Sequence, residues 1–203
     1  MRKIAVDVAI LPPKEIMDLV IAINKREARR GQARGPLGKT DFYPHISLAM
    51  GTIKEEEFNK VIKIVTDILR NQKPLKIELT ELAYATKSDG SKTYGMRAKK
   101  TEEIQRLHEK LMNKLLPYFS FEATLEELYK KENEETEPPS HVNTYYQKSS
   151  FDNFDPHLTL RCKEVAFNKF PIIFTASTIA ICHVGTQTTC RKILFKENLK
   201  EKI

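Results

Sequence analysis

The sequence predicts an α+β protein made of two related halves. A repeat is the first observation: FYPHISL at 42–48 returns as FDPHLTL at 154–160, with Phe, Pro, His and Leu in register and Ser matched by Thr. The second is that strand-like and helix-like segments are mixed along the chain, with hairpins rather than regular crossovers. Both halves follow the order strand, helix, loop, His strand, connector, strand. Only the connector differs, because it is a helix in the first half and a short segment, 163–170, in the second.

The first half begins with an apolar segment at 3–11, which predicts a strand. Pro13 suits the first turn of a helix, and the apolar residues that follow it recur at helical spacing through Ile23. The glycines and the proline between 31 and 38 predict a loop of about ten residues. A strand at 42–50, which contains the first His motif, is expected after this loop.

The middle of the chain predicts two amphipathic helices separated by a hairpin. The sequence TIKE at 52–55 matches a capping box, and the apolar spacing predicts a helix from there to Leu69. Strands are predicted at 75–85 and 92–98, joined by a turn at 88–91. A second helix is expected to begin at Thr101 and to end before Pro117.

The remaining chain contains a long segment at 118–151 that is polar, partly acidic and interrupted by Pro138-Pro139. It predicts a loop with a short helix around 122–131. A loop of this length in a compact protein is usually a functional lid or an insertion. Strands are predicted after it at 157–162, 171–183 and 190–197.

Composition favours a soluble protein, and the length allows one domain or two small lobes. We expect a monomer that forms one bilobal domain over 1–203. The chain is 40% hydrophobic and 30% charged, and no apolar run approaches the roughly 20 residues of a membrane span. Asp7 interrupts the apolar N-terminal segment and no cleavage site follows, so this segment is a strand rather than a signal peptide. Three cysteines without a C-x-x-C spacing favour a reducing, cytoplasmic setting.

The charge favours a polyanionic partner. The net charge is +7 and the isoelectric point is about 9.2. Residues 25–39 are rich in Lys and Arg with one acidic residue, and they directly precede the first His motif. A solvated helix end is the alternative explanation for this run.

The two motifs place polar side chains together. Residues i and i+2 of a strand point to the same face. His45 therefore shares a face with Ser47, and His157 shares a face with Thr159, while the apolar residues between them point to the other, buried face. A strand needed only for folding has no reason to present this polar pair, so we expect a functional site.

Two histidines and two hydroxyls suit a phosphodiester. One neutral imidazole accepts a proton from the nucleophile while the other, as imidazolium, protonates the departing oxygen, and an unperturbed histidine pKa of about 6.5 allows both forms near neutral pH. Ser47 and Thr159 can donate to the non-bridging phosphate oxygens. Paired cysteines and H-E-x-x-H are absent, and Asp155 is the one carboxylate beside either histidine, so we expect neither a metal nor another cofactor.

Four further residues are candidates for substrate binding. Tyr43 could stack on a base or be a half-buried strand residue. Arg161, at i+4 from His157, could lie beside the phosphate or at an exposed strand end. Lys39 and Arg34 could steer a nucleic acid. Of the remaining histidines, His108 and His183 are expected to be structural. His141, in the long segment, is expected to be either solvated or part of a lid.

These motifs, with AILPP at 9–13 and a strand pair near the C-terminus, resemble the two-histidine (2H) phosphoesterase superfamily, and especially its 2′-5′ RNA ligase and 2′,3′-cyclic phosphodiesterase branch. The resemblance implies two lobes related by a pseudo-two-fold axis, each an antiparallel sheet with helices outside, around a central groove. It implies catalysis by His45 and His157, and phosphate binding by Ser47 and Thr159. The long 118–151 segment and the serine in the first motif are departures from the usual pattern.

The leading hypothesis is therefore a metal-independent hydrolase that opens 2′,3′-cyclic phosphates of RNA ends or nucleotides to 2′-phosphates, with reversible 2′-5′ ligation as a related activity. The alternative is a non-catalytic module that binds RNA or nucleotides in the same groove. A partner with a cyclic phosphate or a 2′-5′ linkage is expected, and no membrane. The residues leave open which imidazole is the acid.

Overall fold

The computed structural model describes residues 2–86, 90–132, 134 and 137–201, so the predicted turn at 88–91 lies partly outside the described residues. The strands are β1 Lys3–Leu11, β2 Ile46–Lys54, β3 Leu75–Thr86, β4 Lys92–Ala98, β5 His157–Cys162, β6 Ile172–Ala176, β7 Thr178–Gly185 and β8 Thr189–Asn198. The α-helices are α1 Lys14–Arg29, α2 Phe58–Leu69, α3 Glu102–Leu115 and α4 Ser140–Lys148.

The strands form two four-stranded antiparallel sheets, which confirms the α+β prediction. The terminal sheet has the order β2-β1-β7-β8 and contains both ends of the chain, whereas the middle sheet has the order β5-β4-β3-β6. Each His motif lies at an edge strand, β2 in one sheet and β5 in the other, and these two strands contact each other. The four strands of the middle sheet are consecutive in the chain and lie between the first two and the last two strands of the terminal sheet. Neither sheet is therefore formed by one half of the chain alone.

The predicted strand at 171–183 is two strands. It breaks at Ser177, because β6 pairs with β3 in the middle sheet and β7 pairs with β1 in the terminal sheet. The chain thus passes from one lobe to the other within a single apolar segment. Both pieces satisfy the pattern that predicted one strand, since burial in either sheet requires the same apolar residues.

The first His strand begins at Ile46, later than predicted. The prediction that a capping box at 52–55 starts a helix is wrong. The chain before His45 approaches the sheet with Phe42 at a φ of 53°, and β2 then continues through Thr52, whose backbone pairs with Ser120. Helix α2 starts only at Phe58, after a 3-10 turn at Glu55–Glu57. Pairing with β1 and Ser120 satisfies the backbone here, so tertiary contacts override the local cap signal.

The 118–151 segment contains a helix, but not at 122–131. Residues 122–131 form turns and a bridge between Tyr129 and Gly185. The helix is α4, which packs against β2 and buries Val142 and Tyr145. The segment therefore covers part of the terminal sheet beside the first His motif.

The apolar residues of the two motifs are buried, as the alternation predicts. Ile46 and Leu48 of β2, and Leu158 and Leu160 of β5, are fully buried. They join one apolar core that includes the inward face of β1 and the buried sides of the helices. Members of this core include Val6, Val8, Ile10, Val61, Leu79, Met96, Leu107 and Leu111.

His108 of α3 is fully buried and contacts residues in or next to both His motifs. Its Nδ1 lies 2.6 Å from the carbonyl oxygen of Leu48, and its Nε2 accepts from the Phe151 N–H at 2.7 Å. Its ring also stacks on Phe154 at 3.9 Å between centroids. A carbonyl oxygen only accepts, so the neutral Nδ1–H tautomer satisfies both bonds.

This histidine predicts an acid-sensitive fold. Burial lowers the pKa of His108 from 6.5, so the unfolded state binds more protons and stability falls as the pH drops below 6.5. In His108→Leu we expect a weaker dependence over pH 5–7, and lower stability at pH 7 because the Leu48 oxygen and the Phe151 N–H lose their partner, at about 1–3 kcal/mol each. Denaturant unfolding across pH measures both effects. An unchanged slope in the variant would contradict the assignment.

Two of the three cysteines form a pair that their count and spacing did not predict. Cys182 of β7 and Cys190 of β8 form a disulfide with a Cα–Cα distance of 5.4 Å, and Cys162 is a buried free thiol. The odd count therefore reflects one pair and one thiol. Within the described ranges, no helix is both long and apolar enough to cross a bilayer.

Candidate active site

The two motif histidines share one local arrangement. His45 lies just before β2, and its Nδ1 is 2.7 Å from the carbonyl oxygen of Tyr43. His157 begins β5, and its Nδ1 is 2.8 Å from the carbonyl oxygen of Asp155. In both cases the carbonyl two residues earlier fixes a proton on Nδ1. Each imidazole therefore keeps Nε2 as the nitrogen available for proton transfer.

The two rings are close enough to interact electrostatically, but their exposures differ. Burial lowers the pKa of His45, the Tyr43 carbonyl partly offsets this, and the charge of His157 lowers the pKa further. The His45 side chain is 12% exposed, whereas His157 is exposed to solvent. The neutral form of His45 therefore predominates near pH 7.

The motif hydroxyls lie beside their histidines. Ser47 Oγ lies within hydrogen-bond distance of Asp7 Oδ2, at 2.6 Å. Thr159 lines an open cleft together with His157. Both hydroxyl residues are half-buried, so the structure brings each His-x-Ser/Thr pair to a surface that solvent can reach.

Asp7 is a site residue that the sequence analysis missed. It lies in the middle of β1, is 1% exposed, and has its Oδ2 3.4 Å from His45 Nε2. Burial raises the pKa of Asp7 to about 8, and the Ser47 bond partly opposes this. Because burial also lowers the pKa of His45, the pair is predominantly neutral near pH 7 rather than an ion pair. An acidic residue inside the apolar strand KIAVDVAIL was the available signal.

Helix α4 brings two further side chains to this region. Tyr145 is buried, and its hydroxyl has no hydrogen-bond partner among the described residues. Burial and the charge of Asp7 raise its pKa well above the usual value. Burial and then the charge of His157 lower the pKa of His141, although that residue as a whole is exposed. The length of the 118–151 segment predicted a lid or an insertion, but its sequence did not indicate which side chains reach the site.

The other predicted substrate-binding residues are engaged elsewhere. The Tyr43 N–H bonds the Cys190 carbonyl at 2.9 Å, and its ring packs near the disulfide. Lys39 forms an ion pair with Asp18, and the Arg34 side chain donates to the Lys92 carbonyl at 3.1 Å. None of these three, nor Arg161, is among the described residues that line the cleft beside His157.

The strand pattern placed Arg161 at i+4 from His157, but the backbone of β5 is not regular between these two residues. A register shift occurs where β5 passes Tyr94 and Gly95, and Arg161 itself has a φ of 53°. The alternation is therefore interrupted after Thr159. The residue is only 6% exposed, and its guanidinium donates to the Pro36 carbonyl and to Gln187, each at 2.9 Å.

The cleft beside His157 is built largely by the β3–β4 hairpin. Tyr84 is 53% exposed, and its ring lies 5.5 Å from that of Tyr94. Lys92 Nζ lies 4.1 Å from the Tyr84 ring centroid. Arg97 lines the same cleft and pairs with Asp155 at 3.2 Å. An aromatic surface that also carries the Arg97–Asp155 ion pair therefore continues directly from the second motif.

The donor set does not suggest a metal centre. Within the part of the chain that the structure describes, no group of three or more His, Cys, Asp or Glu side chains is arranged to hold a metal ion. Asp7 and His45 are two such groups, and the next neighbours are hydroxyls, which are weak ligands when neutral. The absence of a cofactor stays a prediction.

Solved structures share this fold over nearly the whole chain. Escherichia coli LigT in complex with 3′-AMP matches with a TM-score of 0.60 at 16% identity, over 98% of this chain and 100% of that one. TT0787 of Thermus thermophilus matches with a TM-score of 0.56 at 14% identity, over 98% and 100%. LigT in complex with NADP+ gives 0.57 at 16% identity, over 99% and 100%. No curated protein sequence matches the chain.

The family model for the 2′-5′ RNA ligase superfamily matches residues 20–166, a stretch that includes both His motifs. This match and the fold agree with the two-histidine resemblance that the motifs predicted. The chain belongs to the 2′-5′ RNA ligase superfamily.

Proposed function

We propose that the protein is a metal-independent phosphodiesterase that opens 2′,3′-cyclic phosphates of RNA ends or nucleotides to 2′-phosphates. The observation that carries this proposal is the matched pair of imidazoles. Each has Nδ1 held by a backbone carbonyl, which leaves Nε2 for proton transfer, and the charge of His157 acts on His45 across the two sheets. One phosphorus centre between them would meet a base on one side and an acid on the other.

The difference between the two histidines supports a direction for the proton transfers. His45, whose pKa is lowered by burial, accepts a proton from water as the water oxygen bonds to phosphorus. The bond from phosphorus to the 3′-oxygen breaks, and His157 as imidazolium gives its proton to that oxygen. Ser47 and Thr159 donate to the two non-bridging oxygens. If an RNA 5′-hydroxyl replaces water, the same steps form a 2′-5′ linkage, and their reversal breaks it.

The cleft beside His157 supports a nucleotide as the substrate. Nucleobases stack on exposed aromatic rings whatever their sequence, and cations beside the rings attract the phosphate backbone. Tyr84 and Tyr94 provide the rings, and Lys92 Nζ lies over the Tyr84 ring. Arg97, which pairs with Glu81 and Asp155, also lines the cleft. The structures of LigT with 3′-AMP, ATP and NADP+ indicate that a protein of this fold binds nucleotides.

A substrate panel tests the proposal. The protein is incubated in chelator with 2′,3′-cyclic nucleotides, a short RNA with a cyclic phosphate end, and a 2′-5′ dinucleotide, and products are separated by chromatography. We expect 2′-phosphates, and none from the His45→Ala/His157→Ala double variant. Binding of these ligands without turnover would instead favour the non-catalytic nucleotide-binding module.

Tyr84→Ala tests whether a base occupies the cleft. Loss of base stacking costs about 1–3 kcal/mol, which corresponds to a KM raised about 5- to 150-fold. Tyr84→Phe, which keeps the ring, should retain a KM near that of the parent. A cyclic phosphate without a base should be insensitive to both changes. Equal losses on substrates with and without a base would contradict nucleobase stacking at Tyr84.

The proposal also covers the cellular compartment and the oligomeric state. We propose a cytoplasmic monomer, on the grounds that nucleotide and RNA substrates are abundant there and that each chain carries both motifs. In a cytoplasmic protein the disulfide between Cys182 and Cys190 would have to resist reduction. Stable disulfides in the cytosol are rare except in proteins of hyperthermophiles.

A further inference from the structure

We propose that Asp7 is a positioning residue of this site, whose protonated carboxyl group donates to Ser47 Oγ and so leaves the Ser47 hydrogen free for the phosphate. The inference rests on the proposed function, because it assigns the group that makes Ser47 a phosphate donor. It concerns a residue of β1, outside both His motifs, that the repeat does not contain.

Asp7 lies beside both functional residues of the first motif, His45 and Ser47. Its Oδ2 lies 2.6 Å from Ser47 Oγ and 3.4 Å from His45 Nε2. The residue is 1% exposed, and its other oxygen, Oδ1, has no hydrogen-bond partner among the described residues. Within those residues its one ion-pair neighbour is His45, without a Lys or Arg. A buried carboxylate with so little compensation is costly, and the neutral carboxyl group costs much less to bury.

The direction of the Ser47 bond depends on the Asp7 proton. When Asp7 is ionised it only accepts, so the Ser47 hydrogen points to Asp7 and is lost to the substrate. The negative charge also repels the phosphate. When Asp7 is protonated, it donates to Ser47 Oγ and the hydroxyl hydrogen is free to turn to a non-bridging oxygen. The proposed reaction therefore requires the neutral form.

The groups that face Asp7 come from four directions. His45 precedes β2, Ser47 belongs to β2, and Tyr145 reaches it from α4. Cys182 is its paired residue on β7, and the disulfide keeps that sulfur from titrating. His157 acts on the set through its charge on His45. Burial by these neighbours raises the pKa of Asp7 to about 8, so the neutral form is lost as the pH rises through that value.

The pH dependence of kcat/KM tests the role, because a cyclic phosphate diester keeps a single negative charge across the range. In the parent, ionisation of Asp7 should make kcat/KM fall about 10-fold per pH unit above pH 8, in addition to any fall that does not depend on residue 7. In Asp7→Asn the amide still donates to Ser47 Oγ and cannot ionise, so this additional fall should be absent. Asp7→Leu removes the donor and should have a lower kcat/KM at pH 7 than Asp7→Asn.

A measurement without turnover separates this inference from the proposed function. The Asp7 side-chain carbon is followed by NMR in the resting protein, and inorganic phosphate binding is followed by calorimetry. We expect titration near pH 8, and phosphate binding that weakens above it in the parent more than in Asp7→Asn. Titration of Asp7 below pH 6, or the same alkaline slope in the parent and Asp7→Asn, overturns the inference even if the enzyme is active.

Discussion

Replacement of either motif histidine by alanine is expected to lower turnover of a cyclic phosphate about 10²–10⁴-fold, the usual value of one proton transfer. Each ring has its Nδ1 on a local carbonyl. His45 Nε2 faces Asp7, and His157 lines the cleft. The fold should therefore survive, and far-UV circular dichroism and thermal unfolding check this. The double variant should lose much less than the product of the single losses, since the two groups act on one transition state.

The two single variants should differ in their dependence on the leaving group. His157→Ala lacks the proposed acid, so an aryl phosphodiester, whose leaving group needs no proton, should recover most of the lost rate. His45→Ala lacks the base, and the same substrate should recover little. The opposite pattern would exchange the two roles, and near-normal turnover in either variant would remove the acid–base assignment altogether.

The parts of the site that the sequence predicted are those set by local structure. His45 and Ser47, like His157 and Thr159, are two residues apart, so any extended backbone places each pair together. The repeat then indicated that the pairs belong together. The structure adds the Nδ1 contacts to Tyr43 and Asp155, which are also local, because the proline between each pair favours an extended chain.

The parts that the sequence did not predict depend on tertiary pairing. Asp7 reaches Ser47 only because β1 lies beside β2. Tyr145 reaches Asp7 because α4 packs on the same sheet. The periodicity rules failed in a similar way at Arg161, where a register shift redirects the side chain, and at Thr52, where pairing with Ser120 extended a strand through an apparent helix cap.

Loss of a single motif hydroxyl is expected to produce the next largest effect. Ser47→Ala and Thr159→Val each remove one donor to a non-bridging oxygen, and such a loss costs about 10²–10³ in kcat. Ser47→Thr and Thr159→Ser keep the hydroxyl and serve as matched controls, since the two motifs already use these residues interchangeably. Full activity in Thr159→Val would contradict phosphate binding by that residue.

Sulfur substitution on the substrate should show which oxygen each hydroxyl binds. Sulfur accepts hydrogen bonds weakly. Replacing one non-bridging oxygen with sulfur should therefore weaken the bond from the hydroxyl that binds that oxygen and slow the reaction. Because Ser47 and Thr159 belong to different sheets, they should approach the phosphorus from opposite sides and affect opposite phosphorothioate diastereomers. Ser47→Ala should then be insensitive to sulfur in one diastereomer, and Thr159→Val in the other. If both variants responded to the same diastereomer, the two motifs would not lie on opposite sides of one phosphate.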